Sequence, residues 1–337
     1  MNSNLIGEIA GRLMRCPAAP YHEGTVSAEV ERICAEKGLA LERDSFGNLL
    51  ARHNTAPQLR PLALAAHLDH PGFALVRALG PRRWLARFLG TVPDEFFQKG
   101  IKLRVMPGAL PAVLGQRVGE KKEFEINFLA TPPKGADAQR LTHAVWELVD
   151  YAEASGKIRG RACDDLIGVT VVLATLLELK RSRARVNVVG VLSRAEEVGF
   201  QGALAAASAG QLPKNALVIS LETSRELPPV KMGRGVILRV GDRASVFDSD
   251  ATRFLAEVAG DIVKKDKTFT FQRALMSGGT CEGTAYQELG FQTGAVCVAL
   301  GNYHNCGARS KIAAEYVSLA DAQGIDRKST RLNSSHD

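Results

Sequence analysis

The sequence predicts an α/β protein in which helices cover a mostly parallel central sheet, with a second, β-rich segment inserted into it. Strand-like apolar runs alternate with helical patterns in the first part of the chain and again after Gly160, and this alternation is typical of parallel sheets. From about Phe73 to Ile158 the pattern changes to short strand-like runs separated by glycine and proline. A chain of 337 residues, 45% of them hydrophobic, is long enough for one large core and a smaller second domain.

The first part of the chain contains two predicted helices and a buried strand. Residues 1–17 carry apolar residues at helical spacing, and prolines end this helix. Thr25–Lys37 form the second helix, with three branched apolar residues on one face. Asp44–Asn48 form a turn between two short strands. Pro61–Ala66 form a buried strand, which places His67 at its end.

The segment from Phe73 to Ile158 is long enough for a small all-β domain. Its predicted strands are Trp84–Phe88, Lys102–Met106 and Glu123–Leu129. In the α/β part that follows, the predicted helices are Gly168–Leu179, Gln201–Ser208, Asp248–Asp261 and a closing helix that begins within Tyr316–Gln323. The predicted strands of that part are Val186–Val191, Ala216–Leu221 and Gly294–Leu300.

We therefore expect a main domain formed by residues 1–72 and 159–325, and an inserted domain formed by residues 73–158. The apolar period stops abruptly after Gln323. We expect residues 326–337 to be a non-native tail, a translated sequencing adapter, because similar strings are appended to unrelated proteins. The alternative is a disordered polar tail.

Composition and charge exclude several classes of protein. The formal net charge of +7 comes from short, separated basic clusters, which favours solvated loops and helix ends over a nucleic-acid surface. No apolar run of the sequence approaches the roughly 18 residues of a membrane helix, and the first residues lack a signal-peptide pattern. The six cysteines are scattered without a CxxC pair, so we expect reduced thiols and a cytoplasmic protein.

Two adjacent glutamates, Glu196 and Glu197, follow the apolar strand Val186–Val191. A pair of carboxylates at the end of a buried strand is costly unless positive charge neutralises it. In open α/β sheets, ligands bind at the carboxyl ends of the strands. One glutamate that binds a metal ion and a neighbour that moves protons would account for the pair.

Four other segments place metal-ligand residue types at or just past strand ends. They are His67-Leu68-Asp69, Asp164-Asp165, Glu222 after Ser220-Leu221, and His304 after Asn302-Tyr303. Taken singly, each has a simpler explanation. For example, Asp164-Asp165 before a helix predicts an N-cap. Together, two histidines and several carboxylates are the ligand set of a two-metal hydrolytic centre, in which imidazole favours zinc and a carboxylate can bridge two ions.

The order of these motifs resembles the tetrahedral, or glutamyl, aminopeptidases, a family of co-catalytic dizinc peptidases, over almost the whole chain up to about residue 325. The matched motifs are His-x-Asp in His67-Leu68-Asp69, Asp-Asp in Asp164-Asp165, Glu-Glu-Val-Gly in Glu196–Gly199, and Gly-Gly-Thr in Gly278–Thr280. Glu222, 25 residues after Glu197, matches a carboxylate ligand, and His304 matches the last histidine.

This resemblance implies a dizinc exopeptidase-like fold with a β-barrel inserted between His67 and Asp164, which are 97 residues apart. The metal ligands that it implies are His67, Asp164, Glu197, Glu222 and His304. Asp164 then bridges the two ions, and Glu196 acts as the general base. Asp69 is implied to orient the ring of His67 by a hydrogen bond to its far nitrogen. A cis peptide bond between Asp164 and Asp165 is also implied.

The resemblance further implies two divalent ions per subunit, zinc with cobalt or manganese as alternatives, and homo-oligomers of up to twelve subunits. We expect a metal-dependent exopeptidase, namely an aminopeptidase that hydrolyses the N-terminal peptide bond of peptides. The alternative is a dizinc amidohydrolase, deacylase or dipeptidase acting on small N-acyl or aminoacyl compounds. A catalytically idle binding protein is disfavoured by the intact Glu196-Glu197 pair. Glu222 and Cys281 stand where the family usually has aspartate, so the substrate stays open.

Overall fold

The computed structural model of the protein describes residues 3–119, 121–133 and 135–329. The helices are α1 (Ser3–Leu13), α2 (Gly24–Lys37), α3 (Leu166–Arg181), α4 (Gln201–Ser208), α5 (Ser249–Lys265), α6 (Glu282–Glu288) and α7 (Leu319–Ser329). Short 3₁₀ turns lie at Glu196–Val198 and Tyr303–Asn305, among other places.

The strands form one large sheet and one closed barrel. The sheet strands are β1 (Ala40–Arg43), β2 (Leu49–Asn54), β3 (Leu62–His67), β10 (Ala152–Ala154), β11 (Lys157–Gly160), β12 (Asn187–Ser193), β13 (Leu217–Arg225), β14 (Val236–Gly241), β15 (Phe271–Leu275), β16 (Gln292–Gly301) and β17 (Glu315–Ser318). The barrel strands are β4 (Gly72–Gly80), β5 (Arg83–Leu89), β6 (Lys102–Met106), β7 (Leu110–Arg117), β8 (Glu123–Phe128) and β9 (His143–Trp146).

The centre of the large sheet is parallel and its margins are antiparallel. The strand order is β1-β2-β12-β3-β13-β16-β17-β11-β10, with β14 and β15 branching from β16. The four central strands β12, β3, β13 and β16 pair in parallel. The outer strands β2, β17, β11 and β10 pair antiparallel with their neighbours. The four central strands therefore end at the same edge of the sheet.

Helices cover both faces of this sheet. Along β3, Leu62, Leu64 and Ala66 belong to the core beneath α1 and α3, whereas Ala63 and Ala65 belong to the core beneath α4 and α6. Successive residues of a strand point to opposite faces, so a strand buried on both sides must be apolar at every position. All six residues of β3 are buried, which explains its continuous apolar run.

The barrel has an aromatic core of its own. Phe73 packs edge-on against Trp146 with ring centroids 4.9 Å apart, and Phe97 stacks on Phe124 at 4.7 Å. The barrel closes in the order β4-β5-β8-β7-β6-β9, so it has no open edge. It leaves the main sheet after β3, and the chain returns to that sheet at β10.

The predicted fold class, an α/β sheet covered by helices with an inserted β-barrel, is confirmed. The segment expected to begin the closing helix differs, since Tyr316–Ser318 belong to β17 and the helix starts at Leu319. Strands β14 and β15 and helix α6 were not predicted. Of the segment expected to be a non-native tail, residues 330–337 lie outside the described residues. Among the helices that the structure describes, none has the length and apolar character needed to span a bilayer.

Candidate metal centre

The candidate site lies where the central parallel strands end. His67 is the last residue of β3, and Glu222 lies in the C-terminal half of β13. Glu196 and Glu197 form the 3₁₀ turn that follows β12, and His304 lies in the turn that follows β16. The carboxyl edge of a parallel sheet is where ligand-binding side chains converge in α/β folds.

Asp164 reaches the same point from the segment that precedes α3. The adjacent Asp165 is the N-cap of that helix, and its Oδ1 accepts a hydrogen bond of 3.1 Å from the backbone N–H of Gly168. The peptide bond between Asp164 and Asp165 is cis, as the resemblance implies. The pair therefore combines a helix cap with a second carboxylate that is directed at the histidines.

Asp164 lies between the two histidines. Its Oδ1 is 3.5 Å from His67 Nε2, and its Oδ2 is 3.6 Å from His304 Nε2. Glu197 Oε1 lies 3.0 Å from His304 Nε2. In the described part of the chain, the ligand atoms of His67, Asp164 and Glu222 lie within 4.8 Å of one another, as do those of Asp164, Glu197 and His304.

Both histidines present the same nitrogen to this cluster. His67 Nδ1 lies 3.1 Å from the backbone carbonyl oxygen of Asp69, and His304 Nδ1 lies 2.5 Å from that of Thr91, in the loop after β5 of the barrel. A carbonyl oxygen only accepts hydrogen bonds, so Nδ1 carries the proton in each ring. Nε2 is then the nitrogen that faces the carboxylates, as it is in many histidines that bind metal. Burial opposes protonation of the two rings, but the surrounding carboxylates outweigh it and raise the pKa of His67 and of His304 well above the usual range, so Nε2 also carries a proton before metal binds. A bound metal ion would displace that proton.

The carboxylates of the cluster lack compensating donors. Among the described residues, Asp164 Oδ1, Glu197 Oε1 and Glu222 Oε1 are buried without a hydrogen-bond partner. Burial raises the pKa of Glu222 to about 8, and the nearby Asp164 adds to the shift even though His67 opposes it. Burial also acts to raise the pKa of Asp164, but His304 and His67 outweigh it and lower that pKa. Buried carboxylate oxygens without a hydrogen-bond partner, beside the Nε2 atoms of two histidines, form a set of ligand atoms that a bound cation would satisfy.

Glu196 stands slightly apart from these two groups. Its Oε2 lies 3.9 Å from His67 Nε2, and together with His67 and Glu197 it forms a third possible ligand group. Burial raises the pKa of Glu196 well above its usual range, with His67 as the main opposing influence and Glu222 as a further contributor.

The turn that carries both glutamates is held by two other buried carboxylates. Asp69 accepts hydrogen bonds of 2.9 and 3.1 Å from the backbone N–H groups of Glu196 and Glu197. Glu23 accepts hydrogen bonds from Arg194 Nε at 2.7 Å and from the N–H of Ala195 at 3.0 Å. Ala195 itself has a left-handed backbone with φ of 53°. The side chains of Asp69 and Glu23 therefore hold the turn in shape.

This arrangement differs from the contact expected of Asp69. Its carboxylate lies 3.6 Å from His67 Nδ1, and the hydrogen bond of that nitrogen goes instead to the backbone carbonyl of Asp69. The two carboxylate oxygens are engaged by the N–H groups of the Glu196-Glu197 turn. The carboxylate of Asp69 is therefore hydrogen-bonded to the turn that carries the two glutamates.

The cluster opens into a cavity of about 320 Å³ whose lining also contains three arginines. Arg225, Arg239 and Arg243 line it together with Leu227 and Met276. Arg239 is buried, and its Nη1 donates a hydrogen bond of 3.0 Å to Ser224 Oγ. Arg225 and Arg243 are exposed. The cavity lining thus contains both carboxylates and guanidinium groups.

Three other residues beside the candidate ligands, His70, Cys163 and Cys281, have structural surroundings that explain them. His70 Nδ1 lies 2.7 Å from the carbonyl oxygen of Asp164, and its Nε2 lies 2.9 Å from Asn305 Oδ1. Cys163 and Cys281 are fully buried, and burial raises the pKa of the Cys281 thiol above its usual range. These two cysteines therefore pack in the core as thiols.

Sequence reasoning missed Glu23, Arg239 and Glu315. Each is buried. Glu23 and Glu315 form hydrogen bonds with residues far away in the chain, namely Arg194 and Cys163, whereas Arg239 bonds Ser224 on the preceding strand β13. Glu23 follows a break in an apolar pattern, which is a weak signal of a functional position. For Glu315, which opens β17, the local sequence carries no signal of its role.

Solved structures show the same fold at low sequence identity. A TET aminopeptidase from Thaumarchaeota archaeon SCGC AB-539-E09 is 19% identical with a TM-score of 0.81, and the match covers 100% of this chain and 98% of the other. The TET1 peptidase of Pyrococcus horikoshii is 18% identical with a TM-score of 0.80 over 97% and 99% of the two chains. An aminopeptidase from Desulfurococcus kamchatkensis is 21% identical with a TM-score of 0.78 over 99% and 95%.

A family model gives the activity class. The model described as M42 glutamyl aminopeptidase matches residues 142–315, slightly more than half of the 337 residues. The matched range includes Asp164, Glu196, Glu197, Glu222 and His304. Peptidases of this family require metal ions, which agrees with the buried ligand groups of the site. The chain is therefore a metal-dependent aminopeptidase and belongs to the M42 glutamyl aminopeptidase family.

Proposed function

We propose that the chain hydrolyses N-terminal peptide bonds through two zinc ions held by His67, Asp164, Glu197, Glu222 and His304. One observation carries this proposal. The groups His67–Asp164–Glu222 and Asp164–Glu197–His304 each bring their ligand atoms within 4.8 Å, and they share Asp164. A carboxylate common to both groups suits a bridge between two ions. Imidazole and carboxylate ligands together favour zinc, with cobalt and manganese as alternatives.

Glu196 is the residue that we assign to proton transfer. Bound metal ions would lower the pKa of a water molecule and polarise the scissile carbonyl group. Glu196 lines the cavity, and its turn is held by Asp69. A glutamate with a raised pKa can accept a proton from water and return it to the leaving amine. We propose these two transfers as its role.

We further propose that the enzyme prefers peptides with an acidic N-terminal residue. Arg225, Arg239 and Arg243 line the cavity into which the carboxylate cluster opens. A guanidinium group binds a carboxylate through strong, charge-assisted hydrogen bonds. The carboxylates of Glu196 and Glu197 can in turn attract the positive amino terminus of a peptide. The description of the family as glutamyl aminopeptidases supports this preference.

We also propose that the chain forms a homo-oligomer. One similar structure is titled as a dodecamer, and the Pyrococcus horikoshii relative is titled as able to assemble into a tetrahedron or a large octahedral shell. The shared fold supports a related assembly of this chain. Light scattering on the full chain measures the number of subunits.

Metal removal and a substrate panel test the proposed chemistry. We expect the metal-free chain to hydrolyse no aminoacyl-anilide, and two equivalents of Zn²⁺ to restore activity. Glutamyl- and aspartyl-anilides should be cleaved faster than leucyl-anilide, while N-acyl amino acids and free dipeptides should be poor substrates. Cleavage of N-acyl compounds alone would instead indicate a deacylase, and full activity with one equivalent would contradict the two-ion site.

A further inference from the structure

Glu315 connects two segments that carry proposed metal ligands. It is fully buried at the start of β17. Its Oε1 accepts a hydrogen bond of 2.8 Å from the backbone N–H of His304. Its Oε2 accepts hydrogen bonds of 2.8 and 3.0 Å from the N–H groups of Cys163 and Asp164. One carboxylate thus bridges the turn after β16 and the segment before α3.

The two bridged segments need such support. His304 has a left-handed backbone with φ of 52°, and its neighbours Asn302 and Asn305 have φ of 55° and 62°. Left-handed backbone is unfavourable for histidine and is tolerated better by asparagine, so the conformation of His304 in particular persists only when surrounding contacts hold it. Hydrogen bonds that end on a carboxylate are about twice as strong as neutral ones.

A second connection joins the same two segments on the other side. His70 Nδ1 meets the carbonyl oxygen of Asp164, and its Nε2 meets the side chain of Asn305. The N–H of Asp164 is therefore held by Glu315 while its carbonyl is held by His70. Because the backbone of Asp164 is held on both sides, its side chain has few possible directions. This restriction suits a carboxylate that must face two histidines.

We propose that Glu315 is a positioning residue that sets the backbones of Asp164 and His304 in their metal-binding arrangement before metal arrives. The inference rests on the proposed function, which assigns both residues as ligands. Glu315 does not contact the cavity or the cluster atoms. It acts only through backbone N–H groups, so its loss weakens metal binding rather than removing a ligand.

Asp321 on α7 provides a matched control. Like Glu315 it is a buried carboxylate, and it accepts hydrogen bonds of 2.7 and 2.9 Å from the backbone N–H groups of Gly233 and Gly235. These glycines carry no proposed ligand. Asp321→Asn removes the same kind of interaction as Glu315→Gln, so comparison of the two variants separates lost stability from lost metal positioning.

The test is a Zn²⁺ titration of the metal-free full chain by calorimetry. For Glu315→Gln we expect Zn²⁺ affinity to fall about 10- to 100-fold, the range measured when groups behind metal ligands are replaced. Asp321→Asn should lower the melting temperature while leaving Zn²⁺ affinity within about twofold. With Co²⁺ as a probe, the visible absorption spectrum should change in Glu315→Gln and not in Asp321→Asn. Unchanged affinity and spectrum in Glu315→Gln would overturn the proposal.

A measurement on the unaltered chain covers the case in which Glu315→Gln does not fold. In the metal-free protein, the amides of Cys163, Asp164 and His304 should already be protected from hydrogen exchange. Protection that appears only after Zn²⁺ is added would show that metal, not Glu315, orders these segments. His304→Ala tests the underlying assignment separately. If it retains both Zn²⁺ equivalents, the proposed function fails rather than the role of Glu315.

Discussion

At the scale of single residues, Glu196 and Glu197 have different surroundings, which supports the different roles that we propose for them. Glu197 lies 3.0 Å from His304 Nε2, whereas Glu196 is nearest to His67, at 3.9 Å. Adjacent residues of a tight turn point their side chains in different directions, so one can reach the ligand cluster while the other faces the cavity.

The proton-transfer role of Glu196 leads to a direct prediction. Glu196→Gln keeps the size of the side chain but removes its basicity, so kcat should fall by about 10²-fold or more, the scale of general-base catalysis. Metal content, measured by elemental analysis, should not change. Glu288→Gln is the matched control, because Glu288 is an exposed glutamate at the end of α6. A Glu196→Gln enzyme with normal turnover would remove this residue from the mechanism.

Arg243 provides a prediction about specificity. It is exposed and lines the cavity, so Arg243→Gln should leave the metal centre intact. We expect kcat/KM for a glutamyl-anilide to fall about tenfold or more relative to a leucyl-anilide, as expected when one hydrogen bond to a charged group is lost. Arg253→Gln, on the exposed face of α5, is the control. A ratio that stays the same in both variants would contradict an acidic preference set by this residue.

At the scale of elements, the packing of β12 against α3 positions the Glu196-Glu197 turn. Strand β12 lies between β2 and β3 and is almost entirely buried. Gly190 lies in its middle, and a Cβ atom there would come within 2.4 Å of Val172 Cγ1 on α3. The helix therefore approaches the strand at this glycine more closely than any side chain would allow.

Gly190→Ala is therefore expected to destabilise the protein by about 1–3 kcal/mol, the usual cost of overpacking a core. Gly260→Ala in α5 is the matched change, since no heavy atom lies within 4 Å of its added Cβ. It should be neutral or stabilise by about 0.5–1 kcal/mol, because alanine favours helix more than glycine does. Chemical denaturation measures both free energies of unfolding. Equal stability of the two variants would mean that β12 and α3 can separate at little cost.

At the scale of the whole molecule, the barrel and the main sheet meet beside the site. Thr91 of the barrel accepts the hydrogen bond of His304 Nδ1. His143 in β9 stacks on His22, from the segment between α1 and α2, with ring centroids 5.3 Å apart. We keep as a proposal the division into a main domain of residues 1–72 and 159–325 and an inserted domain of residues 73–158. The pairing of β10 and β11 with the main sheet supports ending the insertion before Ala152.

The stacked histidines predict how stability depends on pH. Burial lowers the pKa of His143 to about 3, with His22 and Arg161 adding to the shift. Burial and Arg194 also lower the pKa of His22. An unfolded histidine has a pKa of about 6.5. As pH falls, the unfolded chain therefore binds a proton at His143 at a higher pH than the folded chain does. The stabilising effect of a neutral His143 is complete above about pH 6.5 and is lost as pH falls towards about 3.

Between about pH 7 and about pH 5, His143 should account for about 2 kcal/mol of lost stability. Denaturation of wild type and His143→Gln at both pH values measures this, and comparison of the two cancels other titrating groups. The half-buried His53 lies far from the stack along the chain, in β2, so His53→Gln should change the pH dependence much less. The prediction fails if wild type and His143→Gln lose the same stability on acidification.

Residue types and their order along the chain were enough to predict the α/β fold, a β-rich insertion and the residues that the structure gathers at the site, whereas the closed barrel was implied by the family resemblance. The spacing of apolar residues within a short segment indicates whether it is a helix or a strand and which of its faces is buried. Strands of a parallel sheet all end at one edge, where ligand-binding residues gather. His67, Asp164 and Glu222 could therefore be grouped without coordinates.

Only the tertiary structure assigned partners across distant segments. The hydrogen bond between Glu23 and Arg194 joins residues 171 positions apart, and the bond between Glu315 and the N–H of Asp164 joins residues 151 positions apart. The boundary between strand β17 and helix α7, at Leu319, was also not predicted from the apolar periodicity. Such contacts depend on which buried donor lies beside which acceptor after the elements have packed. A local sequence pattern cannot predict this pairing, because the two partners come from distant parts of the chain.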